Sequence, residues 1–165
     1  MSKSASGTSL NAALPVRARI GQLLLAGLGA FLALAIVATL AEHSGQPWLI
    51  GSFGASCVLL FGFPKGPFSR ARNVIGGHLL SSCVGLACLY VFGPGALSMS
   101  LACALALILM GASDTTHPPA GGNPIIVFMI LPDWSFALIP TLAGAVLLTL
   151  VAWLYWKTVR ALRPE

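Results

Sequence analysis

The sequence predicts an all-α integral membrane protein built as two inverted three-segment repeats. Each repeat has one broken segment (extended chain, then a short helix), giving four full-length spans and two broken ones. Three observations predict this. Of 165 residues, 57% are apolar and only 8% are charged, a balance outside that of soluble domains. Four windows, 20–41, 74–92, 96–112 and 136–156, contain no Asp, Glu, Lys or Arg, and each has about the 20 residues that a hydrocarbon core demands. Between them lie two stretches, 48–63 and 116–131, too rich in Gly and Pro for continuous helix, because Pro lacks a donor and clashes with the preceding turn.

Residues 1–19 read as a flexible cytoplasmic N-terminus, Ser-rich and free of acid but short for a transit peptide. Residues 20–165 read as a single transmembrane domain, with repeat one at about 20–92 and repeat two at about 96–157. The first window is too long and too rich in Ala and Leu for a signal peptide, so it is expected to stay uncleaved. A turn over 42–47 follows. In the first broken stretch Gly51, Ser52, Gly54 and Ser56 are weak helix formers. They predict extended chain over 48–53 and a short helix over 54–63, closed by Pro64. Extended chain of that length covers about 18–20 Å and the helix adds about 15 Å. Together they reach across a core of about 30 Å.

The basic residues fall in three groups: Lys3, Arg17 and Arg19; Lys65, Arg70 and Arg72; Lys157, Arg160 and Arg163. If both broken segments cross, all three groups face one side, as cytoplasmic topology signals do. The reading is a bacterial inner (plasma) membrane protein with both termini cytoplasmic. It assigns the net charge of +5 to topology. A basic patch with interleaved aromatics is absent, so nucleic acid is not an expected partner.

The third window carries Gly77, Ser81 and Gly85 at four-residue intervals, and the fourth, after the Gly93-Pro94-Gly95 turn, carries Ser98, Ala102 and Ala106. Small residues at this spacing allow close helix approach in lipid, between these two helices or against a second subunit. A homo-oligomer is expected, a dimer first. Trp48, Trp134, Trp153, Tyr155 and Trp156 lie where an aromatic belt would. Cys57, Cys83, Cys88 and Cys103 sit inside apolar segments without C-x-x-C spacing and read as inert buried thiols.

The second broken stretch is Thr116-His117-Pro118-Pro119-Ala120-Gly121-Gly122-Asn123-Pro124, leading into an apolar block over 125–131. Broken backbone inside a bilayer is tolerated only where protein covers it or where it lines a polar cavity. Sliding one half onto the other sets Pro64 on Pro132, Gly54 on Gly122 and residues 57–63 on 125–131. Paired breaks in inverted halves point to a transporter's binding site.

The site is expected where the two short helices begin. Free backbone N–H groups there carry partial positive charge and suit anions. The candidate substrate-binding residues are Ser52, Gly54, Ala55, Ser56, Ala120, Gly121, Gly122 and Asn123, with Thr115 and Thr116 as nearby donors and with His78 and His117. The two histidines are the only ones at membrane depth, where an ionisable group is expensive and function is the default reading. The bland reading is a neutral imidazole bonded to a carbonyl or to Ser82. One helix terminus contributes up to about 2 kcal/mol, which suits passage and not retention. With no Lys or Arg in the membrane, a small monovalent anion fits better than phosphate or sulfate. No cofactor, metal or enzymatic activity is expected. The alternatives are a metal-dependent membrane enzyme using Asp114, His117 and His78, and a non-transporting scaffold or sensor subunit whose polar groups are buried and mutually satisfied.

The segment 117–122, together with 51–61 (GSFGASCVLLF) and 72–80 (RNVIGGHLL), resembles the HPP family of integral membrane proteins. The three blocks occur in family order and the likeness runs from about Gln46 through the last span. It implies a small membrane protein, usually described with four spans, and nitrite as the first candidate substrate, since plastid and cyanobacterial members are implicated in nitrite transport.

Overall fold

The computed structural model describes residues 16–45 and 48–162. The flexible terminus expected over 1–19 therefore lies mostly outside the described residues, as do Lys3, Gln46, Pro47 and Arg163. Residues 16–19 are not loose: they form the start of α1, Val16–Ser44. The other helices are α2 (Gly51–Cys57, continued by a π-helical turn Val58–Gly62), α3 (Ala71–Phe92), α4 (Ala96–Ala112), α5 (Asn123–Ile130) and α6 (Ala143–Leu162, preceded by a π-helical turn Ala137–Leu142). Short 3₁₀ turns, Pro67–Ser69 and Pro118–Gly122, precede α3 and α5. Among the described residues every regular element is helical.

Val16–Ser44, Ala71–Phe92 and Ala137–Leu162 are long and apolar enough to cross a membrane. Ala96–Ala112 has the expected bounds, but its 17 residues rise only about 25 Å. The first break differs from expectation. Ile50 is extended, but helix begins at Gly51 and runs through Gly62, so Ser52 and Phe53 are helical and not extended. Gly54 is thus in the first turn, and Ala55 and Ser56 lie one turn in.

α3 is the axis of the molecule, packed against α4, α5, α6 and both 3₁₀ turns. Its small-residue stripe has a use the spacing alone does not specify. A Cβ on Gly77 would lie 2.8 Å from the Thr115 carbonyl oxygen and 2.9 Å from His117 Cβ, and one on Gly85 would lie 3.0 Å from Pro124 Cα. Ser81 Oγ donates to the Ala120 carbonyl. The stripe therefore seats the second broken segment backbone-to-backbone, while Ala102 and Ala106 of α4 are fully buried on their own contact face. α1 buries only Gly29, Ala33 and Val37, and glycine at 29 makes room for the Phe61 ring.

The last span contains a third break. Ile139 is extended (φ −129°, ψ 122°) and Pro140 follows it inside the helical run. Proline supplies no N–H there, so the turn Ala137–Leu142 opens and Thr141 faces inward, fully buried. Tyr155 and Trp156 also bond within the protein: they donate to the Leu25 and Leu60 carbonyls at 2.7 and 3.0 Å. Trp134 stacks on Tyr90, and Lys157 Nζ lies 5.0 Å over the Trp153 ring.

Between α5 and α6, Leu131 ends α5 in the left-handed region (φ 50°) with its N–H on the Val127 carbonyl. Asp133 then accepts from the Ser135 hydroxyl and backbone N–H, which hold its carboxyl below the usual carboxylate range. A depressed folded-state pKa adds stability that is present above the unfolded value and is lost as pH falls through the folded one. Acidification should therefore lower the protection factors (exchange relative to the intrinsic rate at each pH) of the Ser135 and Phe136 amides, and Asp133→Ala should do so at neutral pH. Hydrogen exchange that ignores both changes would remove this role.

Candidate functional site

The polar groups of all three breaks converge on α3. His78 lies seven residues past Ala71, so about 10 Å along α3 at 1.5 Å per residue, and Pro124 packs beside Gly85, about 21 Å along. α5 thus begins about two-thirds of the way along α3. Phe53, in the first turn of α2, meets the His78 ring edge-on with centroids 5.2 Å apart. The first turn of α2 therefore reaches the depth of His78.

His117 Nδ1 lies 2.8 Å from the Phe68 carbonyl oxygen and its Nε2 lies 2.8 Å from Ser56 Oγ. Ser56 Oγ lies 2.9 Å from His78 Nε2. His78 Nδ1 lies 3.0 Å from Asn123 Nδ2, which also reaches Ser82 Oγ at 2.9 Å and the His78 carbonyl at 3.3 Å. Ser82 Oγ ends the chain on Thr141 Oγ1 at 3.1 Å. Ser56, His78, Ser82, His117, Asn123 and Thr141 are all fully buried.

The partners fix the proton positions. A carbonyl can only accept, so His117 Nδ1 carries hydrogen and, in a neutral ring, Nε2 accepts from Ser56. The single Ser56 proton is then used, so His78 Nε2–H donates to Ser56 Oγ. His78 Nδ1 is bare and accepts from Asn123. The Ser52 carbonyl, 3.0 Å from Ser56 Oγ, is a second acceptor for the same proton. With His117 cationic, Ser56 would donate there and receive both rings. Two buried atoms have no partner among the described residues: Ser52 Oγ and Asn123 Oδ1.

The expected site residues divide. Ser52, Ser56, His78, His117, Ala120 and Asn123 are buried together. Gly54 and Ala55 are exposed on the opposite face of α2, and Gly121 and Gly122 are half-buried. An added Cβ at Gly54, Gly121 or Gly122 meets nothing within 4 Å. The backbone donors expected at the second break are also occupied in part: the Asn123 N–H bonds the Ala120 carbonyl and Pro124 has none. Side chains make the hydrogen-bonded chain of this centre. Ser82 partners Asn123 and not an imidazole, and Thr141, Ser81 and the Phe68 carbonyl were not anticipated. The signal for Thr141 is Pro140 in an otherwise apolar span.

Asp114 stands apart. With Pro67, Phe68, Arg70, Arg72, Asn73 and Thr116 it lines a surface cleft of about 370 Å³, where Arg72 donates to the Ser113 carbonyl at 2.7 Å and Asn73 to the Thr116 carbonyl at 2.9 Å. Among the described residues no three His, Cys, Asp or Glu are grouped as metal ligands, so Asp114, His117 and His78 do not form the ligand set a metal centre needs. The cleft opens beside Phe68, whose carbonyl holds His117.

Ser56→Ala would leave two buried imidazole nitrogens unpaired, at about 1–3 kcal/mol each. A thermal unfolding midpoint in detergent lowered by Ser56→Ala but restored by Ser56→Thr is the expected result. An unchanged midpoint would show that the hydroxyl is not the bridge.

Comparison with known proteins adds three findings. A family model described as "HPP, transmembrane region" matches residues 15–163. Two proteins of Dictyostelium discoideum, each named only as a transmembrane protein, are similar. One is 38% identical over 112 residues, covering 63% of this chain and 39% of the relative. The other is 31% identical over 150 residues, covering 84% of this chain and 48% of the relative. The chain therefore spans less than half the length of these relatives. No solved structure matches.

Proposed function

The chain belongs to the HPP transmembrane family, and from that premise we propose that it is a transporter or channel for a small monovalent anion, nitrite first. The observation that carries this reading is the buried chain His117–Ser56–His78–Asn123 at the meeting of the broken segments. Ionisable groups at such depth are expensive and mark pathways or relays. Two unpartnered polar atoms beside them leave the centre incomplete without a further group. Arg70 and Arg72 in the adjoining cleft raise the local concentration of anions. The buried cluster holds no Lys or Arg, which favours a monovalent anion. The same proposal includes six passes in two inverted halves, a homodimer, and a bacterial inner membrane with cytoplasmic termini.

A second reading has its own support. Most polar groups of the breaks are paired inside the protein, as they would be in a scaffold or sensor subunit. Uptake into proteoliposomes of nitrite, nitrate, formate and chloride separates the two. Nitrite uptake above that of protein-free vesicles is expected. Equal rates with and without protein for every anion would end the transport reading and leave the scaffold.

A further inference from the structure

We propose that the anion passes together with a proton, with Ser56 as the relay between His78 and His117 and the Asn123 amide as the coupling element. This rests on the transport reading above. The resting cluster offers acceptors where a bare anion would need donors: Asn123 turns Nδ2 to the His78 ring and leaves Oδ1 without a partner. A proton arriving on His78 Nδ1 reverses that arrangement. The new N–H needs an acceptor, and Oδ1 becomes one if the amide turns over.

The turn brings Nδ2 to the position Oδ1 held, so an idle acceptor becomes a free donor beside a cationic ring. The Ser82 hydroxyl can then donate to Oδ1, since the Ser82–Thr141 bond works in either direction. The turn forfeits the 3.3 Å contact to the His78 carbonyl, which keeps the resting orientation preferred while His78 is neutral. Protonation thus creates the anion's partner, and neither binds as well alone.

The proton then has a path. The His78 Nε2–H bond breaks as a bond forms to Ser56 Oγ, and the Ser56 O–H bond breaks as its proton joins His117 Nε2. His78 ends neutral with hydrogen on Nδ1, and His117 ends as the imidazolium. No proton is gained or lost, and both transfers run over contacts of 2.8–2.9 Å. His117 Nδ1 faces Phe68, which lines the arginine cleft, so the charge emerges on that side.

Among the described residues no other charged group contacts either ring. Of the titratable groups on the elements around the pair, Cys57 lies on α2, Cys83 and Cys88 lie on α3 with Tyr90, whose ring stacks on Trp134, and Cys103 lies on α4. Arg70, Arg72 and Asp114 line the cleft beyond Phe68. Tyr155, Lys157 and Arg160 lie on the far part of α6. The hydrogen-bond partners of the ring nitrogens are Phe68, Ser56 and Asn123 among the described residues.

The experiment uses the full chain in proteoliposomes, nitrite as probe, a pH dye inside, and protein-free vesicles as the baseline. An inward proton gradient should accelerate nitrite uptake, with acidification of the lumen in step with the anion. Ser56→Ala should lower gradient-driven uptake by about a hundredfold, the scale of a lost positioned proton-transfer group, and Ser56→Thr should restore it. If Ser56→Ala does not insert, His117→Gln, which keeps polar atoms at the ring's edge, should show the same loss. Wild-type uptake indifferent to the gradient and without lumen acidification overturns the coupling while leaving anion transport standing. Coupling retained in Ser56→Ala or, failing insertion, in His117→Gln overturns the relay. No uptake by the wild type at all is the different failure, that of the transport reading itself.

Discussion

Gly77→Val is expected to destabilise the protein by about 3 kcal/mol or more, at or above the top of the usual range for overpacking, and to leave little folded material in detergent. The Cβ alone would stand 2.8 Å from the Thr115 carbonyl oxygen and 2.9 Å from His117 Cβ. The first of these is backbone and cannot rotate away. Thr115 is itself fixed, its N–H on the Met110 carbonyl at 2.9 Å and its hydroxyl paired with Ser113 at 2.8 Å. Relief would require the whole segment leading to His117 to move off α3, which would pull His117 from Ser56 and Phe68. Gly54→Val provides the contrast, since its Cβ meets nothing within 4 Å. Size-exclusion profiles and unfolding midpoints should separate the two variants widely. Similar behaviour would mean that the stripe on α3 is not a seat.

His117→Ala has the second large expected effect, about 3–5 kcal/mol by analogy with truncating a buried ring, together with loss of uptake. The imidazole is fully buried, so its removal leaves a void. It also strands the Phe68 carbonyl and one face of Ser56, each a buried polar group without its partner. His117→Gln should recover part of the stability, since an amide can offer a donor to Phe68. It should not recover proton-coupled uptake, because an amide does not titrate near neutral pH. Recovery of both by glutamine would mean that the ring only fills space.

The long helices were legible because bilayer thickness writes itself into sequence as uninterrupted apolar windows. The bounds of α4 are those of its window, and α3 ends at Phe92 as its window does. The breaks were legible from proline and glycine, but their internal structure was not. Weak helix propensity at Gly51 and Ser52 suggested extended chain, yet packing of Phe53 against His78 and beside Gly144 holds those residues in helix. Tertiary contact overrides propensity there. His78, His117, Ser56 and Asn123 were each named from sequence, whereas the order in which they bond was not. Pairing depends on which faces of α2 and α3 meet, and one residue of rotation would exchange Ser56 for Ala55. Gly54 and Ala55 sit on the far face for that reason.

The break at Ile139–Thr141 makes the first and last long helices unequal. α1 is a continuous rod of 29 residues and can tilt only as a whole. The last long helix is interrupted instead: extended backbone at Ile139 and the missing donor of Pro140 set the outer turn apart from the 20-residue shaft Ala143–Leu162. Thr141, the last link of the buried polar chain, sits on that joint. A bend there stretches or releases the bond to Ser82 without disturbing the shaft, whose Tyr155 and Trp156 remain latched to α1 and α2. The first long helix is therefore a single rod, and the last carries a joint where the polar chain ends.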